Sequence, residues 1–367
     1  MSTFTIPATM CGVVLTGHGG LDRLEYREDL PVPLPSPDEV LIRVGASAVN
    51  NTDINTRIGW YSKGVTEATQ AGSESGFESA NPEDAAWSGS AIRFPRIQGA
   101  DCCGTIVATG ANVDASRLGQ RVLVRPMYAP SNDAAPWQCE TFGAERDGGF
   151  AQYTTMRASE VFPINSDLSD AELASFPCSW STAEGMLERA SVGAGDRVLI
   201  TGASGGVGSA AVQLAKRRGA TVIAVCSPGK FPEVQALGAD ELVARGTSLL
   251  EQPGKDSVQV VVDLVAGPQW PELLEVLCRG GRYVVSGAIA GPMVELDVRT
   301  LYLKDLSFYG STWQPRRVFE NLIRYIEQGQ IRPLVARTWP LAEIVQAQQA
   351  FMAKEFTGKL VLLPPSA

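Results

Sequence analysis

The stretch Asp196-Arg-Val-Leu-Ile-Thr-Gly-Ala-Ser-Gly-Gly-Val-Gly208 decides the fold of this chain of 367 residues. It opens with a short apolar run that predicts a buried strand, and a glycine cluster follows directly. After the cluster, apolar residues recur at the spacing of one helical face: Val207, Ala210, Ala211, Leu214 and Ala215. The order of strand, glycine-rich turn and helix is the context that makes a glycine motif informative.

The glycine turn is close to the G-x-G-x-x-G fingerprint, with Ala203 at the first glycine position and Gly205 and Gly208 at the others. Such a turn lets the backbone approach a pyrophosphate, and the helix N-terminus offers unpaired N–H groups to it. We therefore predict that a dinucleotide contacts the residues of the turn: Ala203, Ser204, Gly205, Gly206, Val207 and Gly208. The alternative is a tight strand–helix turn that binds no ligand.

The rest of the chain divides into two patterns. Strand patterns at Thr221–Cys226, 258–265 and 282–286 alternate with helical stretches ending at Leu237 and covering 273–278, which predicts a doubly wound parallel sheet. Before it, as far as about Pro163, short strands at 39–44, 104–109 and 121–125 predict a β-rich domain. The C-terminal part adds a predicted helix at 318–328 and a final strand, Lys359–Leu363.

Composition and charge exclude several classes of protein. Hydrophobic residues make up 44% of the chain, which is enough for a sizeable core. The net charge of −9 disfavours nucleic acid and anionic membranes as partners. No apolar run reaches the length of a membrane span, and the N-terminus lacks the pattern of a secretory signal. The seven cysteines include no C-x-x-C pair, so we expect neither a disulfide framework nor a cysteine-rich zinc site. We therefore expect the reducing environment of the cytoplasm.

Residues 62–93 depart from both patterns, because Ser, Gly, Ala and acidic residues dominate this segment. A loop of this length inside a compact domain is unusual. Two interpretations are open at this point, namely a lid over a site and a solvated insertion.

Outside that segment, the chain resembles the medium-chain dehydrogenase/reductase superfamily and, within it, the zinc-independent branch that is similar to quinone oxidoreductases. The resemblance rests on these residues: Ala48-Val-Asn-Asn-Thr-Asp53 with Arg57 and Gly59, Gly99-Ala-Asp-Cys-Cys-Gly104, Gly148-Gly-Phe-Ala-Gln-Tyr153, Ala203 to Gly208, Gly280-Gly-Arg282 and Gly358-Lys359. It implies an α/β fold in which a GroES-like β-rich catalytic domain, residues 1–178, precedes a Rossmann cofactor domain, residues 179–310. Residues 311–367 would return to the catalytic domain, and the active site would lie in the cleft between the two.

The resemblance also bears on metal binding. In zinc-dependent members, cysteine and histidine ligands hold a catalytic ion, whereas here Asn50 and Ala100 stand at two of those positions and Cys178 alone matches a ligand. Zinc prefers about four N, S or O ligands in a tetrahedron. We therefore predict no metal. Without a Lewis acid, reduction favours acceptors that delocalise charge, such as enones and quinones.

By resemblance, Asn50 and Asp53 line the cleft, where Asn50 could donate an N–H to a substrate carbonyl and Asp53 could orient its neighbours. Tyr61 is at the position of an aromatic residue at the cleft mouth and is a candidate proton donor. Asn55 stands where many quinone reductases have tyrosine, a departure from the family pattern. Each assignment has an alternative: Asn50 would be a turn residue, Asp53 a helix cap, and Tyr61 a packing residue. Trp313 is a candidate wall of the substrate pocket, with core packing as the alternative.

The predicted cofactor is NADPH. The strand Thr221–Cys226 ends in Ser227-Pro-Gly-Lys230, without the carboxylate that binds the ribose of NAD. Ser227 and Lys230 could hold the 2′-phosphate, unless Lys230 only begins a solvated helix. By resemblance, Lys359 also belongs to the cofactor site. We expect an NADPH-dependent reductase of an α,β-unsaturated carbonyl or quinone; the alternatives are an alcohol/aldehyde dehydrogenase and a non-catalytic NADPH-binding protein. By analogy the enzyme would be a homodimer or homotetramer with a small-molecule substrate.

Overall fold

The structure is a computed structural model that describes residues 5–129 and 138–366. The first part of the chain is rich in short strands. Its elements in chain order are β1 (Thr9–Leu15), β2 (Leu24–Pro31), β3 (Glu39–Ala48), α1 (Asn51–Ile58), β4 (Arg96–Ile97), β5 (Cys103–Thr109), β6 (Arg121–Val124), β7 (Met127–Tyr128), β8 (Glu140–Thr141), β9 (Tyr153–Arg157), β10 (Val161–Pro163), α2 (Asp170–Ala174) and α3 (Pro177–Arg189).

A regular alternation of strands and helices follows. Its elements are β11 (Arg197–Ile200), α4 (Gly206–Arg217), β12 (Thr221–Cys226), α5 (Phe231–Ala236), β13 (Glu241–Ala244), β14 (Val258–Asp263), α6 (Trp270–Val276), β15 (Leu277–Val285), α7 (Val298–Leu303) and β16 (Ser307–Gly310). The C-terminal elements are α8 (Arg316–Glu327), β17 (Val335–Pro340), α9 (Ile344–Ala353) and β18 (Lys359–Leu363).

The cofactor-domain sheet has six parallel strands in the order β13-β12-β11-β14-β15-β16. Helix α4 covers it with the predicted apolar face, since Ala210, Ala211, Leu214 and Ala215 are fully buried. The prediction of a doubly wound parallel sheet is confirmed. One predicted helix was placed too late: it begins at Trp270 and ends at Val276, because Leu277 pairs with Val258 and belongs to a strand.

The β-rich part forms a seven-stranded sheet with the path β10-β6-β5-β3-β18-β17, to which β9 adds by pairing with β3, and a three-stranded sheet β2-β1-β4. Strand β18 pairs antiparallel with β3, so the end of the chain completes a sheet begun near its start. A GroES-like β-rich part and a Rossmann sheet thus occur in one chain, as predicted. No helix of the described residues is long and apolar enough to cross a membrane.

Candidate active site

The glycine turn lies at the carboxyl end of β11, where open parallel sheets bind ligands. Helix α4 begins at Gly206, and the first helical bond runs from Ser209 N to Gly205 O at 2.8 Å. The earlier N–H groups of the helix therefore remain to bind an anion. A Cβ on Gly208 would lie 2.2 Å from the carbonyl oxygen of Gly202, so the turn accepts only glycine there. These features fit the pyrophosphate of a dinucleotide.

Three basic side chains lie near the carboxyl end of β12. Lys230 donates from Nζ to the carbonyl oxygens of Lys354 and Phe356, both at 2.6 Å, so it is not a solvated helix start. Burial and the charge of Arg245 both lower the pKa of Lys230. Burial, helped by Lys230, lowers the pKa of Lys354 to about 7. Ser227 begins the same turn, and its carbonyl accepts the N–H of Lys230.

A buried ionic cluster lies where the resemblance places the metal shell. The Lys359 ammonium donates to the amide oxygen of Asn50 and, at 3.0 Å, to Oδ2 of Asp101. The other carboxylate oxygen of Asp101 accepts the Cys178 N–H at the start of α3, at 2.6 Å. The side chains of Lys359 and Asp101 are 4% and 0% exposed, so the pair is withdrawn from water. Residues 5–129 and 138–366 contain no group of three or more His, Cys, Asp and Glu placed to hold a metal.

The side chain of Asn50 is fully occupied by the protein. Its Nδ2 donates to Ala48 O at 3.1 Å and to Asp101 Oδ2 at 2.8 Å, while its oxygen accepts from Lys359. An amide has only two N–H groups, so the predicted donation to a substrate carbonyl would require one of these bonds to break. In the structure Asn50 holds Asp101 and Lys359 together, and its donation to a substrate stays a prediction.

Lys359 connects this cluster to the glycine turn, and its place in the cofactor site, which the resemblance implies, stays a prediction. Its Cδ lies 2.8 Å from where a Cβ of Gly206 would be, so the aliphatic stem packs on the start of α4. The preceding Gly358 donates its N–H to Ser204 O at 2.9 Å. The ammonium itself is held by Asp101 rather than by the turn, because a buried ammonium needs a buried counter-charge.

Asp53 and Tyr61 lie on and just beyond α1. The Asp53 carboxylate accepts the N–H of Asn50 at 2.8 Å and the N–H of Gly99 at 3.3 Å, as expected for a helix cap that orients neighbours. Burial, helped by the charge of Asp101, raises the pKa of Asp53 to about 7. The Tyr61 hydroxyl donates to Thr52 Oγ1 at 3.1 Å, and burial raises its pKa well above the usual range, so it stays protonated.

Trp313 lies beside the side chains of Arg125 and Arg189. Its ring lies under the guanidinium of Arg125, with 5.2 Å between the Arg125 Cζ and the ring centroid, and its carbonyl accepts from Arg189. These contacts support the packing alternative.

Sequence reasoning missed Asp263, a fully buried carboxylate at the end of β14. It accepts hydrogen bonds from Thr201 Oγ1 at 2.6 Å, from Tyr283 OH at 2.7 Å, and from the N–H groups of Val265 and Ala266. It therefore ties the loops that follow β11 and β14 to each other. A lone aspartate that ends a run of valines at a carboxyl strand end was the signal that could have identified it.

Two sequence families match this chain. The alcohol dehydrogenase GroES-like domain matches residues 36–166, and the zinc-binding dehydrogenase family matches residues 206–328. Among curated proteins, acryloyl-coenzyme A reductase of Metallosphaera sedula is 28% identical over 96% of this chain and 99% of its own length. The human quinone oxidoreductase is 24% identical over 94% of this chain and 95% of its own length.

Solved structures agree with these matches. A candidate alcohol dehydrogenase of Sinorhizobium meliloti 1021 superposes with a TM-score of 0.88 and 45% identity, over 98% of both chains. The 2-octenoyl-CoA carboxylase reductase CinF, solved with NADP and 2-octenoyl-CoA, superposes with a TM-score of 0.81 and 25% identity, over 98% of this chain and 88% of that one.

A glycine turn at the carboxyl edge of a Rossmann sheet, facing a GroES-like domain, defines a nucleotide-dependent oxidoreductase. The chain belongs to the medium-chain dehydrogenase/reductase superfamily, in which its relatives include alcohol dehydrogenases, quinone oxidoreductases and enoyl-thioester reductases.

Proposed function

We propose that the protein is an NADPH-dependent reductase of activated C=C bonds, in α,β-unsaturated carbonyl compounds or quinones, and that it works without a metal ion. The observation that carries this proposal is the Lys359 ammonium between Asn50 and Asp101. Neither an amide whose groups are all engaged nor a carboxylate already paired with an ammonium offers a metal ion a ligand set. The ammonium also repels a cation at that place.

The absence of a suitable ligand set bears on the substrate. Hydride addition to a simple ketone develops charge on one oxygen, which a Lewis acid would stabilise. A conjugated acceptor spreads the same charge over several atoms, so hydroxyl donors suffice. The names of the M. sedula and human relatives, a reductase of an unsaturated thioester and a quinone reductase, support this class of acceptor.

NADPH, when bound, supplies the hydride. The residues proposed to hold its pyrophosphate are those at the start of α4, from Gly205 to Gly208. Lys230, Arg245 and Lys354 place three basic side chains near the end of β12, and a bound 2′-phosphate would favour their charged forms. Ser227 stands beside them as a hydroxyl donor.

The proposed proton donor is Tyr61. Its hydroxyl is protonated at neutral pH and is already oriented by Thr52, so it can deliver a proton to the enolate that hydride addition leaves. Asp53 and Asn50 are proposed as positioning residues, because their polar atoms form hydrogen bonds with Gly99, Asp101 and Lys359 rather than with solvent.

The test measures NADPH and NADH oxidation with enones, quinones and saturated aldehydes, using wild-type protein, Tyr61→Phe and Lys230→Met. We expect NADPH to be oxidised by enones or quinones, but not by saturated aldehydes, and chelators to have no effect. Tyr61→Phe should lower kcat/KM by at least about 10-fold. Lys230→Met should raise the KM for NADPH by about 5- to 150-fold and leave NADH unchanged.

The same measurements discriminate the alternatives. Preferred turnover of a saturated aldehyde or alcohol, lost on chelation, would identify a metal-dependent alcohol dehydrogenase. Tight NADPH binding with no turnover of any compound would identify a binding protein.

A further inference from the structure

Residues 62–93, here called the strap, are an ordered part of the structure. The Arg57 guanidinium, fully buried, donates to Ser73 O and Gly19 O, both at 2.9 Å. The backbone N–H of Phe77 bonds Ile58 O at 3.1 Å. Val65, Ala85 and Ala86 are buried as well. The strap is therefore fixed to the catalytic domain and does not extend into solvent as a loose loop.

The strap also reaches the cofactor domain. The backbone N–H of Thr69 donates to Ile289 O at 3.2 Å. Ile289 lies in the loop after β15, at the carboxyl edge of the sheet, where the cofactor site is expected. Nearby, the carbonyl oxygen of Thr66 is 4.0 Å from where a Cβ of Gly291 would be. The strap thus bridges the cleft, as Gly358 and Lys359 do at the glycine turn.

The bridging residue is close to the proposed proton donor. Thr69 is buried, and its hydroxyl donates to Asn55 Oδ1 at 3.2 Å. The Asn55 side chain in turn interacts with Tyr61, whose hydroxyl bonds Thr52. The strap therefore lies beside Tyr61 where it bridges the two domains.

The strap has more acidic than basic residues, but only one of its carboxylates stands beside the bridge. The strap contains five acidic residues, Glu67, Glu74, Glu78, Glu83 and Asp84, against the two basic residues Lys63 and Arg93. Glu74 and Glu78 line a cavity with Gly20 and Arg23 and are not part of the bridge. Glu67 is exposed and stands two residues from the bridge. Its carboxylate accepts the N–H of Thr66, and its carbonyl accepts from Trp60 Nε1, both at 2.9 Å. A fixed negative charge at the bridge repels a polyanion and leaves a neutral molecule unaffected.

We propose that the strap is the specificity-determining wall of the cleft, and that it selects uncharged enones and quinones against acyl-coenzyme A thioesters, which carry several phosphate charges. This inference rests on the proposed reductase function. It separates this chain from the relatives whose names give coenzyme A substrates.

The test compares crotonyl-coenzyme A with the crotonyl thioester of N-acetylcysteamine, which has the same reacting group without phosphates. We expect wild-type kcat/KM to favour the neutral thioester by at least about 10-fold, with a gap that narrows as salt is added. The variant Glu67→Gln should raise kcat/KM for crotonyl-coenzyme A by about 3- to 10-fold and leave the neutral thioester unchanged.

The matched control is Glu251→Gln, which removes one exposed carboxylate from the cofactor domain, outside the strap, and should change neither rate. A wild-type preference for crotonyl-coenzyme A, or a Glu67→Gln variant with an unaltered ratio, would overturn the inference and leave the reductase function intact. If nothing is reduced, the reductase function fails instead. Calorimetric titration of the NADP⁺-loaded protein with the two thioesters then decides, because tighter binding of crotonyl-coenzyme A contradicts an excluding wall.

Discussion

Lys359 shows how one side chain can change the chemistry that a cleft supports. Its ammonium is buried between Asn50 and Asp101, and its stem packs on Gly206. A buried charge is tolerated only with a counter-charge and good hydrogen bonds, and Asp101 supplies both. Asp101 is itself anchored by the N-terminus of α3 through Cys178. In this structure the ammonium of Lys359, a residue that the resemblance assigns to the cofactor site, is thus held by Asn50 and Asp101.

Asp53 provides a prediction about pH. Its folded-state pKa of about 7 is higher than its usual value of 3.8, so the folded protein binds this proton more tightly than the unfolded chain. The stabilising contribution is complete at low pH and is lost as the pH rises from about 4 to about 7. Asp53→Asn mimics the neutral form and does not titrate. Between pH 5 and pH 8, the free energy of unfolding of the wild type should therefore fall by about 1–3 kcal/mol relative to that of the variant.

Chemical denaturation at the two pH values measures this shift. Asp167→Asn, which removes a carboxylate at an exposed position, is the control for the change of charge itself. A pH-independent difference for Asp53→Asn would mean that Asp53 is ionised throughout.

At the scale of elements, the carboxyl edge of the Rossmann sheet depends on β14. Asp263 at its end holds Thr201 at the end of β11 and Tyr283 of β15, and it also accepts backbone N–H groups of its own loop. The glycine turn follows Thr201 directly, so the position of the predicted pyrophosphate site depends on this carboxylate.

Asp263→Asn places an amide N–H against hydrogen-bond donors. We expect it to lower the free energy of unfolding by about 1–3 kcal/mol and to weaken NADPH binding as well. Tyr283→Phe removes one of the same bonds and should have a smaller effect on both. Denaturation curves and fluorescence titration with NADPH measure the two effects. Unchanged NADPH affinity in Asp263→Asn would show that the turn keeps its shape without this anchor.

At the scale of the whole molecule, an apolar face surrounds the edge of the six-stranded sheet. Strand β16 is the edge strand, and Val298, Tyr302 and Leu303 of the adjacent α7 are 59%, 59% and 55% exposed. Edge strands of this kind are usually covered. A second copy of the chain can cover this one by two-fold symmetry, since the same face then meets itself. We propose a homodimer through α7 and β16.

The expected result is a dimer for wild type and a monomer for Tyr302→Asp/Leu303→Asp, measured by light scattering coupled to gel filtration, with unchanged circular dichroism. Leu34→Asp is the control, because Leu34 is 89% exposed and belongs to the catalytic domain. A wild-type monomer, or a dimer that survives the double substitution, would contradict this interface.

The sequence alone determined the elements whose signals are local. The glycine turn, β12 and β18 follow from short apolar runs, turn residues and helical spacing, which are readable within a few residues. The elements that were missed include the helices α1, α2, α3, α7 and α9 and the strands β1, β2, β13, β16 and β17. Strand β16, for example, is held in place by pairing with β15, which its own short sequence does not indicate. Its Phe308 is exposed, so the strand has no buried face that a hydrophobic pattern could reveal.

Only the tertiary structure decided how the site is built. Lys359 and Asn50 are 309 residues apart, and a Lys–Asn contact at that separation leaves no periodicity in the sequence. The strap has the sequence of a polar loop. Its anchoring could not be predicted, because the anchors are backbone carbonyls of distant residues and one buried arginine. Hydrogen bonds to backbone groups do not depend on the identity of the accepting residue. Chain folding therefore determined which side chains face the cleft, and residue types alone could not.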